Sequence, residues 1–163
     1  MPVYRHIARL LLFGLVFVGS VALGAQVQVA VITAPAAPRL AFDKDTLRNV
    51  YLKRIFVDGD GVKLAPVNLP ADSPLRGIFT RVILHMSEQP LQDYWDKQYF
   101  QGVSPPYVLA SDEAVVRFIA VTPGAVGYVA SCHVDTSVHI VMLLPLPAGT
   151  AESGLCADHT GAP

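Results

Sequence analysis

Polar and apolar residues alternate strictly through Gln26, Val27, Gln28 and Val29, and the run then turns apolar through Ala30, Val31 and Ile32 to Thr33. A period of two with one wet face at its start predicts a β-strand. Ala34-Pro35-Ala36-Ala37-Pro38 breaks it. A short helix is expected next. Asp43 suits its N-cap, because a carboxylate there accepts from free backbone N–H groups. Phe42 and Leu47 fit a hydrophobic staple, and Leu47, Val50 and Tyr51 form the expected buried stripe. Asp58-Gly59-Asp60-Gly61 reads as a turn, since Asp-Gly pairs tolerate positive φ. It joins Ile55-Phe56-Val57 to a second strand expected over residues 62–69.

The clearest helical pattern follows. Ser73 is the expected N-cap, and Pro74 sits at the first helical position, where a missing N–H costs nothing. Leu75, Ile78, Phe79, Val82 and Ile83 recur at helical spacing as one apolar stripe. Another helix is expected from Ser87, with Leu91, Tyr94, Trp95 and Tyr99 on its buried face. Phe100 is expected to join that aromatic core group, with an exposed partner patch as the alternative. Gly102 and Pro105-Pro106 close this helix. A fourth is capped by Ser111, with Asp112 and Glu113 favouring its positive end and Val115, Phe118 and Ile119 pointing inward. Pro123-Gly124 stops it. Residues 125–130 and 138–144 read as two further buried strands, the second apolar apart from His139. Strands alternating with helices predict α/β layers around one sheet, without internal repeats.

The first 25 residues stand apart. Arg5, His6 and Arg9 form a basic start, residues 10–23 are apolar or small, and Ala22-Leu23-Gly24-Ala25 offers small residues for a signal peptidase. This is the layout of a secretory signal peptide. A cut after Gly24 places Ala22 and Gly24 at the −3 and −1 positions, and a cut after Ala25 is nearly as good. The alternative is an uncleaved anchor. The run is only about 14 residues, roughly 21 Å as a helix, against a hydrocarbon core of roughly 30 Å. The expected division is therefore a signal peptide at 1–25, an α/β domain at 26–145 and a Pro/Gly/Ala-rich tail at 146–163. The expected location is the periplasm or the exterior, with no stable membrane insertion after cleavage.

Charge narrows the partners. Twelve Lys and Arg face thirteen Asp and Glu, for a net charge of −1, and no basic block is present. Neither a nucleic-acid footprint nor a polybasic membrane face is expected. Cys132 and Cys156 are the two cysteines, and an oxidising compartment permits a disulfide between them. Two separate thiols are the alternative.

Several segments resemble the phosphate-type periplasmic substrate-binding proteins. Residues 45–52 look like a helix of that family, and Asp58-Gly59 through Pro66-Val67-Asn68-Leu69 is similar to one of its strands. Asp72-Ser73-Pro74-Leu75-Arg76-Gly77-Ile78-Phe79 stands where the family has a ligand-cradling helix start. Tyr94-Trp95, Phe100-Gln101-Gly102 and Pro123-Gly124-Ala125-Val126-Gly127-Tyr128-Val129 follow in family order. The resemblance spans residues 27–141 and implies one lobe of a type II periplasmic binding-protein-like fold, a mixed sheet flanked by helices. A complete receptor has two lobes, so this chain resembles the short, single-lobe substrate-binding-like proteins. It implies a phosphate ABC-transport context and a small phosphate-like anion as ligand. Where the family reads Ser-Gly-Thr, this chain reads Ser73-Pro74-Leu75, and Asn68 or Leu69 stands near the place of a family arginine.

The expected ligand-binding residues are Asn68, Ser73 and Arg76. A helix start offers N–H groups and partial positive charge, Ser73 adds a hydroxyl, and Arg76 lies in the first turn. The competing use of Ser73 is as a cap alone. Without a second lobe nothing excludes water, so a bound anion would be held weakly. Cys132, His133, His139, Cys156 and His159 are soft or borderline metal ligands, yet a disulfide is the simpler use of the cysteines and no metal or other cofactor is expected. No catalytic constellation or phosphate-binding loop motif is present, and no enzyme activity is expected. The second functional expectation is an interaction or sensor-accessory protein that keeps the lobe without the ligand, through a protein partner or self-association.

Overall fold

The computed structural model describes residues 26–36, 41–151 and 154–156. The expected signal peptide, part of the Ala/Pro break and His159 lie outside the described residues.

Five strands form one mixed sheet. In chain order the elements are β1 (Gln28–Thr33), α1 (Lys44–Tyr51), β2 (Ala65–Asn68), α2 (Pro74–Phe79), α3 (Glu88–Tyr99), β3 (Tyr107–Val108), α4 (Asp112–Val121), β4 (Ala125–Ala130) and β5 (His139–Pro145). The sheet order is β3-β2-β4-β1-β5. β2 runs parallel to both β3 and β4, whereas β1 is antiparallel to β4 and to β5. β1 is thus the one reversed strand among those described.

Both faces of the sheet are covered. At Gly127 an added Cβ would lie 2.7 Å from Val115 and 3.2 Å from Ile119 of α4. Tyr128, the next residue, points to the opposite face and packs on Tyr51 of α1 and Phe79 of α2. With helices on both sides, all six residues of β4 are buried. The core is continuous from Val29–Ile32 through Leu47, Val50 and Tyr51 to Ile119 and Val129.

The caps form as their sequence predicts. Asp43 accepts from the Thr46 amide at 2.7 Å, and Ser111 accepts from the Ala114 amide at 3.2 Å. Asp58 accepts from the amides of Asp60 and Val62 at 2.9 and 2.8 Å, which closes the expected turn. α2 departs from a plain helix. It passes into a π turn over Thr80–Leu84 that ends at His85 with φ 55°. The wider turn rotates the stripe, so Thr80 and Leu84 are buried while Val82 is half-buried.

Three expectations are corrected. Tyr99 and Phe100 do not join the core: they are 70% and 89% exposed, because α3 reaches the core through Leu91, Tyr94 and Trp95 and its last turn does not. β5 is not a buried strand. It lies at the sheet edge, and Leu144 alone in it is buried. His139, expected as a hydrogen-bonded core histidine, is exposed at the start of that strand. The second strand begins at Ala65; before it, Val57 and Lys63 form an isolated bridge across the turn. The two-residue β3 lies among residues with no strand pattern of their own.

Candidate functional site

Because β2, β3 and β4 are parallel, their carboxyl ends lie on one side of the sheet. In open α/β sheets that side is where ligands enter. From β2 the chain passes through Leu69-Pro70-Ala71-Asp72 to the capped start of α2, and from β3 through Leu109-Ala110 to the capped start of α4. From β4 it enters a 3-10 turn, Ser131–His133. A crevice of about 380 Å³ lies between these segments, lined among others by Ser73, Ser111, Asp112 and His133. Gly154 and Leu155 complete one wall. They are held there by a disulfide between Cys132 and Cys156, whose Cα atoms are 6.0 Å apart.

Of the three expected ligand residues, Ser73 lines the crevice whereas Asn68 and Arg76 do not, and each has an internal partner. Ser73 lines the crevice and its Oγ accepts from the Arg76 amide at 3.4 Å, as an N-cap does. Arg76 turns its guanidinium back, and Nη1 donates to the Leu69 carbonyl at 2.8 Å. Its other side faces a groove of about 740 Å³ between α2 and α3, shared with Arg81 and Trp95. Asn68 accepts the Tyr128 hydroxyl at 3.1 Å through Oδ1. Burial pushes the Tyr128 hydroxyl well above the usual tyrosine range, partly offset by hydrogen bonding at Leu69 and by Arg76, so it remains a donor. Serine and arginine thus brace the β2–α2 connection internally, and asparagine ties it to β4 through Tyr128.

The crevice wall opposite Ser73 carries chemistry that the sequence reading treated otherwise. Asp112 Oδ2 accepts from the Ala130 amide at 3.1 Å and lies 2.7 Å from His133 Nδ1. A carboxylate offers acceptors alone, so Nδ1 carries the proton in this pair. His133 Nε2 is buried and has no hydrogen-bond partner. Asp112 was legible as a helix-start acid and His133 as a metal ligand beside Cys132, but their pairing depends on the return of β4 beside α4. Their positions just beyond two parallel strands were the available signal. Asp72 and Glu113 also line this crevice, so its rim is acidic. Among the described residues no group of three His, Cys, Asp or Glu is placed to hold a metal ion. No described helix is long and apolar enough to cross a membrane.

No protein-family model matches this chain, and no curated protein does. Solved structures do match. An ABC-type phosphate transport receptor from Vibrio cholerae aligns with a TM-score of 0.56 at 20% identity, over 71% of this chain and 46% of that one. A putative phosphate ABC transporter substrate-binding protein from Clostridium perfringens, solved with bound phosphate, aligns with a TM-score of 0.58 at 16% identity, over 71% and 44%. PstS from Borrelia burgdorferi aligns with a TM-score of 0.51 at 14% identity, over 77% and 49%. This chain spans a little under half the length of each. Its fold is therefore that of one lobe of the phosphate-type periplasmic substrate-binding proteins.

Proposed function

We propose that this chain is an exported, non-enzymatic binding module that takes a small oxyanion, phosphate first, in the crevice beyond β2 and β4. The observation that carries the reading is the crevice itself, which lies at the carboxyl ends of the parallel strands in a fold shared with phosphate receptors. In this reading residues 1–25 are the removed signal peptide, residues 26–145 the binding domain and the remainder a tail, and the protein works in the periplasm in a phosphate-transport setting. In this reading Ser73 meets the ligand at the β2–α2 edge of the crevice, and Asn68 and Arg76, outside its lining, hold that edge through Tyr128 and Leu69.

The acidic rim shapes the ligand class. Asp72, Asp112 and Glu113 would repel a fully ionised anion, but a carboxylate accepts readily from the O–H of a protonated one. The monobasic form of phosphate fits better than sulfate. One lobe leaves the crevice open to water, so the expected affinity is about millimolar, near −4 kcal/mol. Calorimetry with phosphate and sulfate at about pH 6 and pH 8 tests this. Phosphate should bind, more tightly at the lower pH; no heat at millimolar phosphate would remove the reading.

A second reading is a periplasmic interaction or sensor-accessory protein without a ligand. It is favoured by the engagement of Asn68, Ser73 and Arg76 in internal hydrogen bonds and by the exposed Tyr99 and Phe100. Sedimentation over a concentration range, with cross-linking in the periplasm, decides it: a monomer without partners counts against it.

A further inference from the structure

Neither reading uses the groove of about 740 Å³ between α2 and α3. One wall carries two guanidinium groups. Arg76 is held by its Nη1 on the Leu69 carbonyl at 2.8 Å. Arg81 reaches back along the helix, where its Nη1 would stand 3.5 Å from a Cβ placed on Gly77. Among the described residues neither arginine makes an ion pair. Thr80, at the start of the π turn, is 7% exposed and lines the groove, and its hydroxyl makes no hydrogen bond to a described residue. Buried polar groups ordinarily have a partner, and π turns inserted in α-helices often mark functional sites. The other wall is apolar, with Leu91 and Trp95 of α3. The Trp95 ring is braced by Tyr94, which meets it edge-on at 5.0 Å and donates its hydroxyl to the Leu52 carbonyl at 2.7 Å.

We propose that this groove binds a small organic monocarboxylate with a flat apolar body, its carboxylate on Arg76 and Arg81 and its ring on Trp95. A guanidinium presents paired N–H donors that match the two oxygens of a carboxylate. The Thr80 hydroxyl adds a third donor at the same wall. The indole receives a flat apolar group on its face. Glu88 is the one acid lining the groove, and it opposes a second negative charge on the ligand. The groove shares no lining residue with the crevice, so this inference and the oxyanion reading stand or fall separately.

Trp95 is the single tryptophan of the chain, so its fluorescence reports on the groove directly. Phenylpropionate, titrated through the millimolar range at constant ionic strength, should shift the emission along a saturable curve. Its neutral amide should leave the emission in place, and so should inorganic phosphate. Arg81→Gln should bind phenylpropionate about tenfold more weakly, the size of one charge-assisted hydrogen bond, with an unchanged thermal midpoint. Thr80→Val should weaken binding about fivefold without lowering that midpoint, since the hydroxyl it removes has no internal partner. A flat titration would overturn the proposal. An equal response to the amide or to phosphate would overturn it as well, and so would undiminished binding by either variant.

Discussion

The rings of Phe79 and Tyr128 lie parallel within 5°, with centroids 3.9 Å apart. One comes from α2 and the other from β4, and Tyr51 of α1 packs against both at 4.6 and 5.9 Å. This aromatic trio joins the two helices of one face to the sheet. Phe79→Ala removes its middle member, fully buried, and should cost about 3–5 kcal/mol. Urea unfolding monitored by circular dichroism checks this. A loss under about 1 kcal/mol would mean that the site closes over the gap.

Two of those rings also make stability depend on alkaline pH. Tyr51 donates to the Val67 carbonyl at 3.0 Å and lies 3.3 Å from that of Val126, bridging the strands β2 and β4. Burial raises the pKa of Tyr51 and of Tyr128 above that of a free tyrosine. A raised folded-state pKa contributes stability that is complete below about pH 10 and lost as pH rises past it, because the unfolded chain then releases protons that the folded one retains. Lys53 acts oppositely, since burial and the charge of Lys63 lower its pKa, but it is only half-buried. The net expectation is a falling denaturation midpoint between about pH 9 and pH 11. A flat midpoint would contradict the tyrosine assignment.

Gly124 carries a backbone requirement. Its φ is +76°, and an added Cβ would stand 2.3 Å from the Lys63 carbonyl oxygen. The same turn brings the Gly124 carbonyl to the Ala65 amide at 2.9 Å, where β2 joins β4. Gly124→Ala should therefore destabilise by more than about 1 kcal/mol through strain and backbone displacement. The change is read as a lowered thermal midpoint, with Gly102→Ala as the comparison, since that Cβ meets nothing within 4 Å at a similar φ of +78°. Equal losses would mean that φ alone, and not the close approach, decides the effect.

The disulfide spans 24 positions of sequence. Its removal in a Cys132→Ala, Cys156→Ala double variant should lower stability by about 3 kcal/mol, chiefly by freeing the unfolded chain. Non-reducing mass spectrometry of the oxidised protein should show the loss of two hydrogens. Hydrogen exchange around residues 131–133 should rise in the variant, because the tether to Leu155 is gone.

Much of the architecture was legible because local and global preferences agree here. Asp43, Ser73 and Ser111 cap the helices they precede, and the apolar stripe of α1 is the face that is buried. Where the sequence misled, the cause was position in the sheet. Residues 138–144 read as buried because they are apolar apart from His139, but an edge strand keeps one flank open whatever its composition. Tyr99 and Phe100 continue the helical pattern of Leu91 and Trp95, yet burial depends on where the helix leaves the body. The rotation introduced at Thr80–Leu84 has no signal in residue spacing. At the candidate crevice, Ser73 could be placed from its helix start, whereas the pairing of Asp112 with His133 joins segments 21 positions apart through tertiary structure.

The reversed strand in the interior of the sheet has a consequence for the order of assembly. β1 is hydrogen-bonded on both sides by strands from the C-terminal part of the chain, and Gln28 donates to Ser131 across 103 positions. Its closure must wait until almost the whole chain is available, which places this domain among slow, non-local folders. A nascent chain therefore cannot complete its sheet while its C-terminal strands are still unmade. That delay keeps the polypeptide threadable, which is what the export proposed above would require.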